Sequence, residues 1–197
     1  MGDRDRSIYI VISQTGTLLS RMIGVFSHDQ YNHASISTDE SLRVMYSFGR
    51  KHAYNPLIGG FVMESPFFGT FKRFSQTRVI VIRVPVTCQQ EQALNGYLQA
   101  MYRRKDMYVY NFLGLVFAAF GIYWRHENWY YCSEFICETL DRFHILDRRD
   151  YADIVKPEDF FNIPDKEVVF EGYLQDYARN PKFHVRTSLP MLREKVC

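Results

Sequence analysis

Several features that mark known protein classes are missing from this sequence. The four cysteines, Cys88, Cys132, Cys137 and Cys197, form no CxxC pair and no metal-ligand spacing. They are few for a chain of 197 residues, so we expect free thiols in a reducing compartment, with no bound metal and no cofactor. The sequence also has no long basic run and a net charge of only +2, so we expect no nucleic-acid binding.

Targeting and membrane-spanning segments are absent as well. The first apolar run, Ile8 to Ile12, is too short for the hydrophobic region of a signal peptide, and acidic residues precede it. Residues 112–122 are apolar on every side but fall short of the ~20 residues that span a bilayer. We therefore expect a cytoplasmic protein without a transmembrane segment, in which residues 112–122 form a buried helix or the wall of an apolar pocket.

The composition that is present favours one compact domain. Hydrophobic residues make up 47% of the chain, which is enough for a proper core at this length. We expect a single domain over residues 1–197, with residues 179–197 as a tail packed on its surface. The basic run Arg103 to Lys105 ends a predicted helix, where we expect it to complement the helix dipole and face water.

Periodicity and turn residues predict an α+β fold with an antiparallel sheet. The predicted elements, in chain order, are a strand at 7–13, a helix at 18–26, a β-hairpin of 33–37 and 42–48, a structured loop at 49–77 with a short strand at 60–64, a strand at 79–84, a helix at 87–104, the apolar segment 112–122, a helix that begins at 132, a short helix after Pro157 and a peripheral strand at 166–173.

The most informative stretch begins at Cys132. Phe135, Ile136, Leu140 and Phe143 follow it at helical spacing, so Cys132 lies in the first turn of a predicted helix. The exposed N–H groups and the macrodipole at that end favour the thiolate, which is the nucleophilic form. The same spacing also suits a small apolar core residue, so the catalytic interpretation needs a base nearby.

A histidine on a rigid strand is the usual base for a cysteine nucleophile. Among the six histidines, His33 alone opens a predicted strand of small residues, such as Ala34 and Ser35, that leave room beside its ring. His126 is closer in sequence to Cys132 but lies in a charged turn. His33 is therefore the candidate base.

These two motifs carry a resemblance to a known family. The segments Asn32 to Ile36 and Tyr131 to Ile136 resemble the histidine and cysteine motifs of permuted NlpC-type papain-like cysteine hydrolases, the YiiX/YebB-like group. In that group the histidine hairpin precedes the cysteine helix. Tyr46 to Arg50 and Asn55 to Phe61 are similar to segments of its bacterial members, and the similarity covers residues 8–165.

The resemblance implies both a fold and a chemistry. The fold is α+β, with an antiparallel sheet packed against the helix that carries the cysteine. The chemistry is hydrolysis of amide or ester bonds through a thioester, with Cys132 as nucleophile and His33 as base. We expect an amidase or a cysteine peptidase whose substrate is a small peptide, a murein-type peptide or an acyl amide.

The third polar group, which orients the histidine, has three candidates. Relatives place a His, Asn, Gln or Glu on the strand after the histidine strand, and residues 42–48 contain none of these types. A two- or four-residue hairpin turn would place Tyr46 opposite His33, and a three-residue turn would place Ser47 there. Glu64, from the following loop, would supply a carboxylate that holds an imidazolium better. Each residue also has an interpretation without a catalytic role: Tyr46 as an aromatic residue of the core, Ser47 as a small strand residue and Glu64 as a solvated charge.

Two other functional classes remain open. The resemblance extends to the lecithin-retinol acyltransferase group, which shares the order of histidine before cysteine. Aromatic residues make up 16% of the chain, and with residues 112–122 they could line an acyl pocket, so a lipid-handling acyltransferase or thioesterase with a lipid ligand is one alternative. A non-catalytic binding module that keeps the same fold is the other.

Overall fold

The computed structural model describes residues 4–14, 31–52, 55–124, 126–180 and 182. The strands of this part of the chain are β1 (Arg6–Gln14), β2 (His33–Ser37), β3 (Met45–His52), β4 (Asn55–Glu64), β5 (Arg78–Val86), β6 (Val109–Tyr110), β7 (Trp129–Tyr130) and β8 (Glu167–Tyr173). Six of them form one sheet in the order β4-β3-β2-β1-β5-β8, in which every neighbouring pair is antiparallel. β6 and β7 form a separate parallel pair.

Helices cover both faces of this sheet. They are α1 (Gly69–Arg73), α2 (Cys88–Arg103), α3 (Phe112–Ala119), α4 (Cys132–Arg142) and α5 (Leu174–Arg179), with 3-10 turns at Lys105–Met107, Arg148–Asp150 and Pro157–Asn162. The protein is therefore an α+β fold with a mostly antiparallel sheet, as the order of elements predicts. Among the described residues, no helix has both the length and the apolar character to cross a membrane.

The two apolar faces of β1 explain why the sheet has helices on both sides. Ile8, Ile10 and Ile12 are fully buried in a cluster that includes side chains of α2 and α4. The alternate residues Tyr9 and Val11 belong to a second cluster, with side chains of α1 and α5. Successive side chains of a strand point to opposite faces, so a continuous apolar run requires a partner on each face.

Aromatic packing positions α4, the helix that begins at Cys132. Phe135 of α4 lies 5.3 Å, between ring centroids, from both Phe48 of β3 and Phe61 of β4. Phe48 and Phe61 also contact each other at 5.5 Å in an edge-to-face arrangement. These three fully buried rings hold α4 against the β3–β4 part of the sheet.

The prediction of a structured loop at residues 49–77 is wrong, although the short strand predicted within it at residues 60–64 is confirmed as part of β4. β3 continues to His52, β4 spans Asn55–Glu64, and α1 follows at Gly69–Arg73. Gly59 and Gly60 indicated a break, but both lie inside β4, where they allow a close approach of the chain. A Cβ atom on Gly59 would lie 2.5 Å from the Cβ of Tyr110, which packs against the strand there.

The expected burial of residues 112–122 is also wrong. The helix itself is confirmed as α3, yet Leu113, Phe117, Phe120 and Ile122 are exposed. An apolar run that is not amphipathic predicts a buried helix, but periodicity cannot tell such a helix from one that presents apolar side chains outward.

Several other predictions have clear outcomes. The strands at residues 7–13, 79–84 and 166–173 are confirmed as β1, β5 and the edge strand β8, and the helix at 87–104 is confirmed as α2 with its Thr87 and Gln90 capping box. The helix at 18–26 lies outside the described residues, as does most of the tail at 179–197.

The expectation of free cysteines is confirmed in part. Cys132 and Cys137 are free thiols, both buried. Cys88 is disulfide-bonded, so the expectation is wrong for that residue. A reducing compartment was expected because the cysteines were expected to be free, and the disulfide bond of Cys88 no longer supports that expectation.

The packing of α4 can be tested by removing one of its central rings. Phe48→Ala should lower the free energy of unfolding by about 3–5 kcal/mol, because it leaves a cavity between β3 and α4. Val44→Ala, at a partly exposed position just before β3, should change it by less than about 1 kcal/mol. Urea denaturation of the two variants measures the difference, and equal effects would contradict the described packing.

Candidate active site

Cys132 is the first residue of α4 and lies at the end of the helix where N–H groups are exposed. Its side chain is only 5% exposed. Two contacts hold the start of the helix: the backbone N–H of Tyr131 donates to Glu134 Oε2 at 3.4 Å, and Ser133 Oγ donates to the backbone oxygen of Val155 at 2.7 Å. The thiol is thus held near the positive end of the helix dipole.

His33, the first residue of β2, lies beside this thiol. The imidazole is hydrogen-bonded through Nε2 to both carboxylate oxygens of Glu64 at 3.1 and 3.0 Å. The Cys132 side chain lies close enough to the ring to raise its pKa. The structure therefore groups Cys132, His33 and Glu64 at one site.

Glu64, the partner of His33, is one of the three predicted candidates. The pairing of β2 with β3 differs from the predicted hairpin and does not bring Tyr46 or Ser47 to His33. Ile36 pairs with Tyr46, and extending this register places Gly49, not Tyr46 or Ser47, opposite His33. The predicted turns are too short, since residues 38–44 connect β2 and β3.

Tyr46 and Ser47 have structural roles, as a core aromatic residue and a small strand residue. The Tyr46 ring is buried and stacks on Phe61 at 5.9 Å between centroids, within the core. Ser47 Oγ donates to the backbone oxygen of Ala34 at 2.6 Å and so ties β3 to β2. Neither side chain orients the histidine.

Glu64 reaches His33 across β3, which lies between β2 and β4. The crossing is possible because the intervening position is Gly49. A Cβ atom there would lie 3.4 Å from Glu64 Oε1 and 3.5 Å from His33 Cε1, so a larger side chain would separate the two groups. The register of directly opposed residues cannot reveal a contact of this kind, because it crosses a third strand.

Ser35, two residues after His33, supports the carboxylate. Its Oγ donates to Glu64 Oε2 at 2.6 Å. The Phe71 ring of α1 lies 6.2 Å from the His33 ring, and the side chains of His33 and Glu64 are only 13% and 11% exposed. The pair is therefore largely withdrawn from water, which strengthens the attraction between the two charges.

Two opposing effects set the protonation of His33. Burial lowers the pKa of the imidazole, but the Glu64 carboxylate and the Cys132 side chain raise it more, to about 10. Burial likewise raises the pKa of Glu64, and the charge and hydrogen bond of His33 lower it below the ordinary value. Both groups are therefore charged at neutral pH.

These shifts define a pH window for the contact. The pKa of His33 is higher in the folded than in the unfolded chain, so its contribution to stability is complete below pH 6.5 and is lost as the pH rises through about 10. The pKa of Glu64 is lowered, so its contribution is present above pH 4.5 and is lost as the pH falls further. The ion pair therefore forms above pH 4.5, where Glu64 is ionised, and is lost as the pH approaches about 10, where His33 loses its proton.

Tyr110 and Arg50, which no pattern in the sequence marks as site residues, lie near this group. Burial raises the pKa of Tyr110 well above its ordinary value, and Cys132 is the largest of the charges that add to this effect. Burial lowers the pKa of Arg50, and the nearby charge of Glu64 opposes that change. No spacing in the sequence connects Tyr110 to Cys132, because the parallel pairing of β6 with β7 brings the two segments together.

A cavity of about 400 Å³ adjoins the carboxylate. Arg50, Glu64, Phe71, Tyr102 and Lys105 are among its lining residues, whereas Cys132 and His33 are not. The cavity therefore lies at the β4 edge of the site and not over the thiol.

No protein-family model matches this chain, and no curated protein shows significant similarity to it. The functional interpretation therefore depends on the geometry of the site and on the resemblance of the two short motifs.

The Glu64 contact can be tested through the reactivity of the thiol. In Glu64→Gln the pKa of His33 should fall because the carboxylate charge is lost, so less of the imidazole carries a positive charge beside the sulfur at neutral pH. Alkylation of Cys132 by iodoacetamide at pH 7 should then slow by roughly 10- to 100-fold. Peptide mapping by mass spectrometry measures the rate at each cysteine.

Cys137 supplies the internal control for that experiment. It lies one and a half turns along the same helix, and burial raises its pKa to about 12, so it should stay unlabelled in both proteins while they are folded. If wild-type Cys137 reacts as fast as Cys132, or if Glu64→Gln leaves the rate at Cys132 unchanged, the assigned roles are wrong.

Proposed function

We propose that this protein is a thiol-dependent hydrolase of the amidase or cysteine-peptidase class, with the papain-like permuted NlpC-type fold that its motifs resemble. The observation that carries the proposal is the grouping of Cys132 at the start of α4 with His33, which is itself hydrogen-bonded to Glu64. A nucleophile, a base and a group that orients the base are the parts that acyl transfer requires.

In the acylation step, Cys132 attacks the carbonyl carbon of an amide. The His33 imidazole takes the thiol proton, or holds it already as the imidazolium, and delivers it to the leaving nitrogen as the C–N bond breaks. Glu64 keeps the ring oriented and stabilises its positive charge throughout. The products are the free amine and a thioester on Cys132.

The negative charge that develops on the carbonyl oxygen needs hydrogen-bond donors. The backbone N–H of Cys132, in the first turn of α4, is a donor of the kind that forms an oxyanion hole. In the second step His33 removes a proton from water, the hydroxide attacks the thioester, and the Cys132 sulfur leaves and is reprotonated. The acid is released and the enzyme is restored.

A small substrate fits the limited access to this site. The Cys132 and His33 side chains are almost fully buried, so a thin chain such as a short peptide, a murein-type peptide or an acyl amide is better suited than a folded protein. One observation favours the lipid-handling alternative, a thioesterase or acyltransferase: Leu113, Phe117, Phe120 and Ile122 are exposed, and Tyr123, which follows them, donates to Glu134 of α4. A non-catalytic binding module is favoured by no comparable feature.

The proposal is tested by looking for the acyl-enzyme. Wild type, Cys132→Ala and Glu64→Gln would each be offered murein-type dipeptides, acyl-amino acids and phospholipids, and intact-mass and peptide mapping would locate any adduct. Wild type should carry a thioester on Cys132 from an amide substrate and release the amine, and Glu64→Gln should accumulate it more slowly by roughly 10²- to 10⁴-fold. Cys132→Ala should carry none.

Other outcomes of the panel decide among the alternatives. An adduct from phospholipids alone would favour the acyltransferase. Absence of both an adduct and turnover from every substrate would contradict the hydrolase and favour a binding module.

A further inference from the structure

Exposed apolar side chains are concentrated in one segment, residues 107–124, which we call the excursion. Of 13 exposed large hydrophobic residues in the described part of the protein, seven lie within residues 107–123. Phe120 is 70% exposed, Ile122 54% and Leu113 53%. Single exposed apolar residues are normal on a protein surface, but a contiguous group of this size indicates a surface that meets an apolar phase.

The charges around this excursion are as distinctive as its apolar side chains. Residues 107–124 contain no charged residue at all. Arg103, Arg104 and Lys105, all exposed, come directly before it, whereas Arg125, His126 and the exposed Glu127 come directly after it in the sequence and leave little net charge there. The one acidic residue at its start, Asp106, is paired with Lys51 at 3.7 Å. An uncharged apolar segment thus follows directly on a basic cluster.

The base of the excursion is fastened to the rest of the protein. The backbone N–H of Asn111 donates to the oxygen of Tyr130 at 2.9 Å, and the Asn111 side chain accepts from Gly114 N–H at 2.8 Å and donates to the oxygen of Trp124 at 3.3 Å. Asn111 therefore joins both ends of the excursion to β7. The exposed apolar side chains project from an anchored base.

The same base adjoins the start of α4. Tyr123 Oη donates to Glu134 Oε1 at 3.3 Å, and Glu134 accepts from the N–H of Tyr131, the residue before Cys132. The excursion and the candidate nucleophile are therefore linked through one side chain. An apolar environment that surrounded the excursion would therefore lie close to Cys132.

We propose that residues 107–124 form a docking surface for an anionic lipid membrane. The eight residues of α3 are about 12 Å long and apolar on every side, which suits insertion into one leaflet to the depth of the acyl chains. The basic residues at 103–105 then meet the lipid headgroups, and the tyrosines and tryptophan at the base lie at the interface, where their amphipathic rings are favoured.

A lipid surface explains the flanking charges better than a second protein does. An apolar groove on a protein partner would accept the exposed Leu113 and Phe120 but would not require the exposed cluster of Arg103, Arg104 and Lys105 beside the segment. An anionic membrane attracts each basic residue near its surface and offers an apolar interior next to it. The segment combines both properties within about 20 residues.

Flotation with vesicles tests the docking surface. The full-length protein would be mixed with vesicles of phosphatidylcholine and phosphatidylglycerol in a 7:3 ratio and with vesicles of phosphatidylcholine alone. Wild type should float with the anionic vesicles and bind them several-fold more weakly when the salt is raised from about 0.1 to 0.5 M, since salt screens the headgroup attraction. Much less of the protein should float with the phosphatidylcholine vesicles.

Matched variants separate this surface from general stickiness. Leu113→Asp combined with Phe120→Asp should reduce binding at least tenfold, whereas Val168→Asp, a half-exposed apolar position on the edge strand β8, should bind as wild type does. Arg104→Gln combined with Lys105→Gln should reduce binding to the anionic vesicles and remove most of its salt dependence. Circular dichroism and thermal unfolding check that each variant is folded.

Three results would overturn the proposal. They are absence of wild-type binding to either vesicle, equal losses in the Leu113/Phe120 and Val168 variants, and a finding by analytical ultracentrifugation that the Leu113/Phe120 change abolishes self-association without affecting vesicle binding. Cys132→Ala should bind vesicles as wild type does, so the surface and the proposed hydrolase activity are tested independently.

Discussion

The contact between the Glu64 carboxylate and the His33 imidazole is the interaction on which the site depends. Both side chains are almost removed from water, and a buried charge is tolerated only when it is paired and hydrogen-bonded. The pairing satisfies each group with the other, and Ser35 occupies one oxygen of the carboxylate. Loss of either partner would leave the other buried and unpaired, which costs far more than an exposed ion pair contributes.

The sheet is built so that this contact can form. β2 and β4 are not neighbours, and the carboxylate of one reaches the imidazole of the other past Gly49 of β3, where a side chain larger than that of alanine would come between them. On the opposite face, Phe48 and Phe61 of β3 and β4 pack against Phe135 and so fix the helix that begins at Cys132. Alternate residues of β3 and β4 therefore perform two tasks: Gly49 and Glu64 allow the ion pair with His33 of β2, and Phe48 and Phe61 pack against the helix that begins at Cys132.

How far sequence reasoning reached can be judged from particular residues. Cys132 and His33 were identifiable because helical spacing and a strand of small residues are local signals, and Glu64 was among three candidates because a carboxylate is the natural partner of an imidazolium. The choice among Tyr46, Ser47 and Glu64 could not be made, since it depends on the length of the connection at 38–44 and on a diagonal contact across a third strand. Gly59 and Gly60 were interpreted as breakers because the close approach of Tyr110 is a tertiary contact. The exposure of Phe120 and Ile122 escaped prediction because hydrophobicity alone does not say which apolar segment faces outward.

The central claim is that the Glu64 carboxylate keeps His33 protonated beside the thiol. Nitrogen-15 NMR of histidine-labelled protein measures this directly, with the His33 signals assigned from their loss in His33→Gln. The account predicts a ring that is protonated on both nitrogens from pH 6 to pH 9 and titrates near pH 10. A His33 ring that titrates between pH 6 and pH 7, as an isolated histidine does, would contradict it.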